Sequence, residues 1–391
     1  MHVGDRFNES VEMEDQLTGR YTRRLTTGGV INNTPTYHIN TAFTRDSRYL
    51  VFGRTNEDES LLLKADVETG ELTVVAVSDH TRGGPKFAGG SLALVQATNS
   101  VALALGKSLR LYNLDTLEER ILIEDIGSSY RFGHPAGSYD GRTIYVPRVV
   151  AHPDLVRGVE NPRDYFVAVV AEYGGMPTTH LAVDVATRQV TELFHEPANG
   201  CNHVQICPCD PDLLLIDRDA PPRFSHGGDD GQTSRCWLLR LSTKELIEIR
   251  PRDENRFQIH TNWSYDGAHV FYHGRGRRGG HYVGVGDHQG RIVWEHHFPG
   301  FFYGHMSSDT QRRAIITDGL FTPDLITEIH YEETDAIGVP RLEILARHGT
   351  NWGGVAGQYS HPHPHMSPDG RWLAYNKGEE GRADVYVVRI K

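Results

Sequence analysis

Cysteine is scarce in this chain, and long apolar runs are missing. The four cysteines are Cys201, Cys207, Cys209 and Cys236, and Cys207-Pro-Cys209 departs from the C-x-x-C spacing of zinc and redox sites, so free, buried or half-buried thiols are expected. The opening MHVGDRFNESVEMEDQ lacks the basic start and apolar core of a secretion signal, and no stretch approaches the length of a membrane span. A cytoplasmic protein is expected. Positive charge is also in deficit: 40 Lys and Arg against 51 Asp and Glu give a formal net charge of -11, which opposes nucleic acid and anionic membranes as partners. An acidic small-molecule substrate would need a locally basic pocket. Almost nothing reads as a long amphipathic helix.

What is present is punctuation. Forty-one glycines and nineteen prolines are scattered along 391 residues and separate short β-branched and aliphatic runs, the pattern of many strands joined by tight turns. One phrase recurs, a Ser/Thr/Pro and Asp turn followed by an apolar strand. It appears as FTRDSRYLVF (Phe43 to Phe52) and again as AGSYDGRTIYV, CPCDPDLLLI, WSYDGAHVF, MSSDTQRRAII and MSPDGRWLAY, with LVQATNSVALAL as a degenerate copy. The turn residues Asp46, Asn99, Asp140, Asp210, Asp266, Asp309 and Asp369 lie roughly forty to seventy positions apart, near the period of propeller repeats. Hairpins such as KADVETGELTVV (Lys64 to Val75) follow several copies. The expected fold is all-β, a seven-bladed β-propeller forming one domain over residues 1–391, with about residues 1–20 as an N-terminal extension. Arg20 to Ile31 is the candidate for closing the ring. A sandwich of this length would need several domains with linkers, and no linker is visible.

Twenty-two histidines are many, and His38, His134, His203, His260, His305 and His363 each lie four to eight residues before a turn residue of the repeat. In a propeller this is the entry of the innermost strand, so such residues converge on one end of the central channel. Several neutral imidazoles in one channel point to a metal. The segment Gly357 to Gly370, GQYSHPHPHMSPDG, places His361, His363 and His365 at alternate positions. Residues i and i+2 of an extended strand share a face, so His361 and His363 are expected to point together, with Gln358 adding an amide oxygen. An exposed His-Pro tract without a ligand is the competing reading, and His305 at the equivalent place of the preceding repeat weighs against it.

From about Tyr37 onwards these residues resemble the oligogalacturonate lyases, propeller-fold pectin-degrading enzymes. Gln358-Tyr-Ser-His361-Pro-His363-Pro looks like that family's metal motif, Gly304-His305-Met-Ser-Ser like its third metal histidine, and Ile259-His260-Thr ahead of Tyr265-Asp-Gly like its catalytic histidine. The resemblance implies manganese or a similar divalent ion on His305, Gln358, His361 and His363, His260 as the base, and Arg235 as a substrate-contacting arginine. His203 and Arg218 are expected as further substrate contacts. One stretch departs from the family: Arg218-Asp219-Ala220-Pro221 and the glycine- and aspartate-rich loop through Gly231 replace its His-Glu-Gly-Pro.

The chemistry implied is β-elimination at a 4-linked uronate. The C5 proton is weakly acidic because the adjacent carboxylate resists further negative charge. A divalent cation and an arginine stabilise that charge, and an imidazole near neutrality takes the proton. Two other readings stay open: a metal-dependent propeller enzyme on a different sugar acid, and a noncatalytic interaction propeller, which gives no reason for His and Gln at metal-ligand spacing.

Overall fold

The recurring phrase folds the same way in copy after copy, and its hydrogen bonds explain why it recurs. The computed structural model describes all residues except 34–36, 38–40, 88–91, 152–174, 221–234, 251–255, 277–279, 300–303, 321 and 356. Ser138 Oγ donates to Asp140 Oδ1 at 2.7 Å, that oxygen accepts the Arg142 N–H at 3.0 Å, and Ser138 Oγ accepts the Thr143 N–H at 3.0 Å. Thr44 with Asp46, Ser264 with Asp266, and Ser367 with Asp369 repeat the set. Such a turn satisfies its own backbone and reverses the chain between two strands. Gly141, Gly267 and Gly370 follow the aspartate at φ of 71°, 70° and 68°, where a Cβ would be strained.

Between these turns the strands form antiparallel meanders. Among the described residues there are six sheets: one of ten strands, one of five and four of four. The strand Glu59–Asp66 carries Leu61, Leu62 and Leu63, all fully buried, because a middle strand has neighbouring sheets on both faces. Outermost strands such as Ile292–Phe298 are largely exposed. Helical content among the described residues is limited to 3₁₀ turns such as His80–Arg82 and Gly357–Ser360, and no helix is long and apolar enough to cross a membrane.

Apolar clusters join each sheet to the next. Val51 and Leu62 pack with Leu92 and Leu103, and the pattern continues to Ile316 and Leu345 packing with Leu373 and Tyr386. Trp372, Ala374 and Val385 then pack with Phe43, Leu50 and Leu61, which brings the end of the chain back to its beginning. The segment expected to close the ring does so: Tyr21–Arg24 pairs antiparallel with Arg382–Arg389, with Thr22 opposite Val388, and Ile31 pairs in parallel with Ala383. Residues 1–20 are not a bare extension. Arg6–Asn8 pairs with Glu71–Asp79, and Val11–Glu14 pairs with Tyr21–Arg24.

The innermost strands line a common centre. Ala136–Gly137 adjoins Leu92–Val95 on one side and Gly200–Ile206 on the other, and Met306–Ser308 lies between Arg256–Trp263 and His365–Met366. At the end of these strands marked by the Asp turns, the centre opens into a cavity of about 590 Å³ bordered by Arg45, Tyr139, Asn262, Tyr265 and His365. The histidines at the strand entries gather elsewhere, and they form the site.

Candidate metal centre and base

Three imidazoles from two successive repeats converge. One nitrogen from each of His305, His361 and His363 lies within 4.8 Å of the other two. The His305 and His363 rings stand edge to face with centroids 4.0 Å apart, and His361 lies 5.2 Å from His305. His361 and His363 do meet as expected, but not by strand alternation. His363 takes the left-handed conformation at φ 44°, and the regular strand begins only at His365. That twist turns His363 toward His305, while His365 borders the cavity at the other end. The Asn376 side chain and backbone N–H hold the turn by donating to the carbonyls of His361 and Pro362.

Asp318 organises the cluster. It is fully buried, and one carboxylate oxygen accepts the His305 backbone N–H at 2.6 Å. The other accepts the His363 N–H at 3.1 Å and lies 3.2 Å from His305 Nδ1. Burial pushes this carboxyl up, but His305, with its N–H donors, and His348 hold it below the usual range, so it stays ionised. A carboxylate only accepts, which places the His305 proton on Nδ1 and presents Nε2 to the other imidazoles. Gly304 makes the approach possible, because a Cβ there would stand 2.4 Å from Asp318 Oδ1. Gly304→Ala is expected to displace Asp318 and to weaken the binding of a divalent cation about tenfold in a titration with manganese as the probe. Unchanged affinity would remove Asp318 from this role.

The donor set fits a divalent cation. The His361 Nδ1 atom is buried with no hydrogen-bond partner, and burial pushes this imidazole down to about 4, so it stays a neutral ligand. Gln358 belongs to the 3₁₀ turn Gly357–Ser360, and its side chain lies outside the described residues, as does all of His38.

His260 stands against this cluster, its ring 4.4 Å from that of His305. The ladder between Arg256–Trp263 and Val270–Gly276 is irregular from Ile259 to Asn262, and within that bulge His260 adopts φ 51°. A bulge re-aims one side chain, here into the channel. Its Nδ1 lies 2.7 Å from the Gly304 carbonyl and 3.0 Å from His273 Nε2; in the tautomer that donates to the carbonyl, Nδ1 carries the proton and Nε2 is the basic nitrogen. His273 Nε2 also reaches that carbonyl, at 2.8 Å, and burial, with the charge of His305, pushes His273 down to about 3.

Of the other expected residues, His203 reaches this centre through Tyr37. His203 stacks on His134 at 4.7 Å and on Tyr37 at 5.1 Å, and Tyr37 in turn meets the edges of His305 and His363 at 6.0 and 5.1 Å. Arg235 is half-buried, with Nε 3.9 Å from Asp217 Oδ2, and Asp217 accepts from Thr261 next to His260. Arg218 is buried, pairs with Glu196 at 2.8 Å and lies over the Trp237 ring at 4.3 Å. The roles of Asp318, Tyr37 and His273 had no sequence signal, since each depends on contacts between distant strands. Only the adjacency of Tyr37 to His38 in the repeat register hinted at a channel position.

Fully buried histidines also set the acid response. Burial and the Arg218 charge push His180 down to about 4, and His273 lies lower still. Unfolded, both return to about 6.5. A folded value below the unfolded one means that the neutral form stabilises the fold fully above about pH 6.5, and this is lost as pH falls toward the folded values. The urea midpoint is therefore expected to fall steadily between about pH 6.5 and 4.5, where carboxylates are still largely ionised. A flat midpoint over that window would contradict the burial of neutral histidines.

Fold and centre together define an all-β, propeller-like protein with a cluster of metal-ligand character at one end of its channel. Two solved structures share the fold over its whole length. An oligogalacturonate lyase in complex with manganese superposes with a TM-score of 0.81 at 18% identity, covering 100% of this chain and 99% of its own. An oligogalacturonate lyase from Vibrio parahaemolyticus gives 0.80 at 16% identity, with coverage of 100% and 99%. Hydrazine synthase from Kuenenia stuttgartiensis is more distant, at a TM-score of 0.59 and 11% identity over 94% of this chain and 99% of its own. No protein-family model matches the chain, and no curated protein matches it in sequence.

Proposed function

We propose that the chain is a metal-dependent lyase that cleaves short oligogalacturonides, or related uronate oligosaccharides, by β-elimination. The observation that carries this reading is the placement of His260 against the triad, its ring 4.4 Å from that of His305 and its Nδ1 at the Gly304 carbonyl. His305, His361 and His363, with Gln358, would hold the cation, which when bound supplies positive charge to the substrate carboxylate. Manganese is the ion of one of the two lyases of like fold, and imidazole with an amide oxygen suits it.

In this reading His260 Nε2 takes the C5 proton, the electron pair forms the C4–C5 double bond, and the glycosidic oxygen at C4 leaves and is protonated from water or another group. Arg235 pairs with the carboxylate as it takes up charge, and Asp217 orients the guanidinium. His203, which stacks on Tyr37 beside the triad, would contact a small acidic oligosaccharide, and Arg218 would reach it only by leaving Glu196. Nucleic acid and membranes are not partners. The ten-stranded sheet counts as two blades in this account, which makes seven in one domain. Seven apolar clusters support that count. Four free cysteines accord with a cytoplasmic location.

A second reading, elimination or isomerisation on a different sugar acid, is favoured by Arg218, whose charge is already answered by Glu196 where the resemblance departs. Mass spectrometry of digests separates these. Short galacturonides should give two products whose masses sum to that of the substrate, without the water that hydrolysis adds. Intact galacturonides beside converted guluronides or glucuronides would move the substrate to the second reading.

A further inference from the structure

A second cluster of metal-ligating atoms lies at the rim of the fold, built by the cysteines that the site does not use. Cys207 and Cys209 sit on the turn between Gly200–Ile206 and Leu213–Ala220, and their sulfurs are 3.5 Å apart. His288, from the turn between His281–Gly286 and Ile292–Phe298, brings Nε2 to 4.0 Å from the Cys207 sulfur. All three ligand atoms lie within 4.8 Å of one another. Two sulfurs bound to one tetrahedral zinc at about 2.3 Å would be about 3.8 Å apart, close to the separation here, whereas a disulfide needs about 2.05 Å.

The setting is specific to this copy of the repeat. Four other copies put a Ser or Thr hydroxyl where Cys207 stands: the Cys207 N–H donates to the Leu213 carbonyl as the N–H groups of Thr44, Ser138, Ser264 and Ser367 do to Tyr49, Thr143, His269 and Trp372. A thiol at this place gives up the hydroxyl hydrogen bond to the turn aspartate. The neighbouring repeat is shaped to fit, since Gly267 at φ 70° leaves no room for a Cβ, which would meet the Cys209 N–H nitrogen at 2.9 Å and the Cys207 sulfur at 3.0 Å. The Gly267 carbonyl accepts from His288 Nε2 at 2.6 Å and so holds the imidazole at the thiols.

We propose that Cys207, Cys209 and His288 form a binding site for a thiophilic divalent cation of the zinc class, pinning two successive repeats together at the rim. Binding replaces two thiol protons, which leave to solvent, and changes no oxidation state: one divalent cation enters and two protons depart. His288 moves its proton to Nδ1, gives up the Nε2 hydrogen bond to the Gly267 carbonyl and binds through Nε2. The fourth position is left to water. Without a cation, burial, with the Cys209 sulfur nearby, pushes the Cys207 thiol up to about 12, so this thiol is a poor nucleophile and needs a countercharge to ionise. Soft sulfur ligands keep this site chemically separate from the imidazole centre, and the inference does not rest on the lyase reading.

Cobalt(II) is the probe, added to the full chain freed of metal under reducing conditions. A sulfur-to-cobalt charge-transfer band in the near ultraviolet is expected to saturate at one equivalent, to vanish in Cys209→Ser and weaken in His288→Gln, and to persist in His363→Ala. Zinc should shield the exposed Cys209 from a thiol reagent and raise the melting midpoint by a few degrees, and both effects should be lost in Cys209→Ser. Both variants change half-buried or exposed positions and are expected to fold, which far-ultraviolet circular dichroism verifies. Absence of the band in wild-type protein, its persistence in Cys209→Ser, or thiols equally reactive with and without zinc would overturn the proposal.

Discussion

Replacing His260 by Asn is expected to lower kcat on short galacturonides by about 10²- to 10⁴-fold, the usual contribution of a positioned general base, while manganese content stays at the wild-type level. Asn is the informative replacement. His260 sits at φ 51° within a bulge, and Asn tolerates the left-handed region far better than Ala, so the backbone survives while the base is gone. Loss of rate with full metal occupancy separates the base from the ligands. Activity within a few-fold of wild type would transfer the role, with His203 next to be tested.

The second large effect is expected at Asp318. Its carboxylate holds two backbone N–H groups and the His305 ring at once, so Asp318→Asn must turn an amide N–H toward donors that already need an acceptor. Manganese affinity should fall about 10- to 100-fold, as it does when a carboxylate behind a metal-bound histidine is lost. Because the site is fully buried, an unsatisfied donor should also cost about 1–3 kcal/mol of stability, measurable by urea denaturation of the metal-free protein. His305 would then choose between tautomers, and saturating manganese should restore part of the activity. Affinity and stability both unchanged would mean that His305 is oriented by something else.

These two residues mark how far the sequence can be read. The repeat was legible because the Ser-x-Asp turn is chemistry within six residues, complete in Ser138, Asp140 and Thr143, so each copy carries its own signature. Repetition then placed His260, His305 and His363 at equivalent entries, and equivalence in a ring of sheets implies convergence. The reason for the convergence of His361 and His363 was not legible: it comes from a left-handed residue after a proline, not from strand alternation. Asp318 lies thirteen residues after His305, just past the strand Ile315–Thr317 and outside the repeated phrase, and only the pairing of Met306 with Thr317 brings it back beneath the histidine. Arg218 is the opposite case. Its charge suggested a substrate contact, but Glu196 from the last strand of the preceding sheet and the Trp237 ring already occupy it, and no local pattern links those three positions.

The measurement that bears most directly on the account is the growth of unsaturated-uronate absorbance with short galacturonides, followed for metal-stripped protein, for the same protein after manganese is added back, and for His363→Ala under both conditions. The account expects no signal from stripped protein, a signal restored by manganese, and none from the variant. A signal that is indifferent to metal, or that survives in His363→Ala, would contradict a lyase built on the His305, His361 and His363 centre.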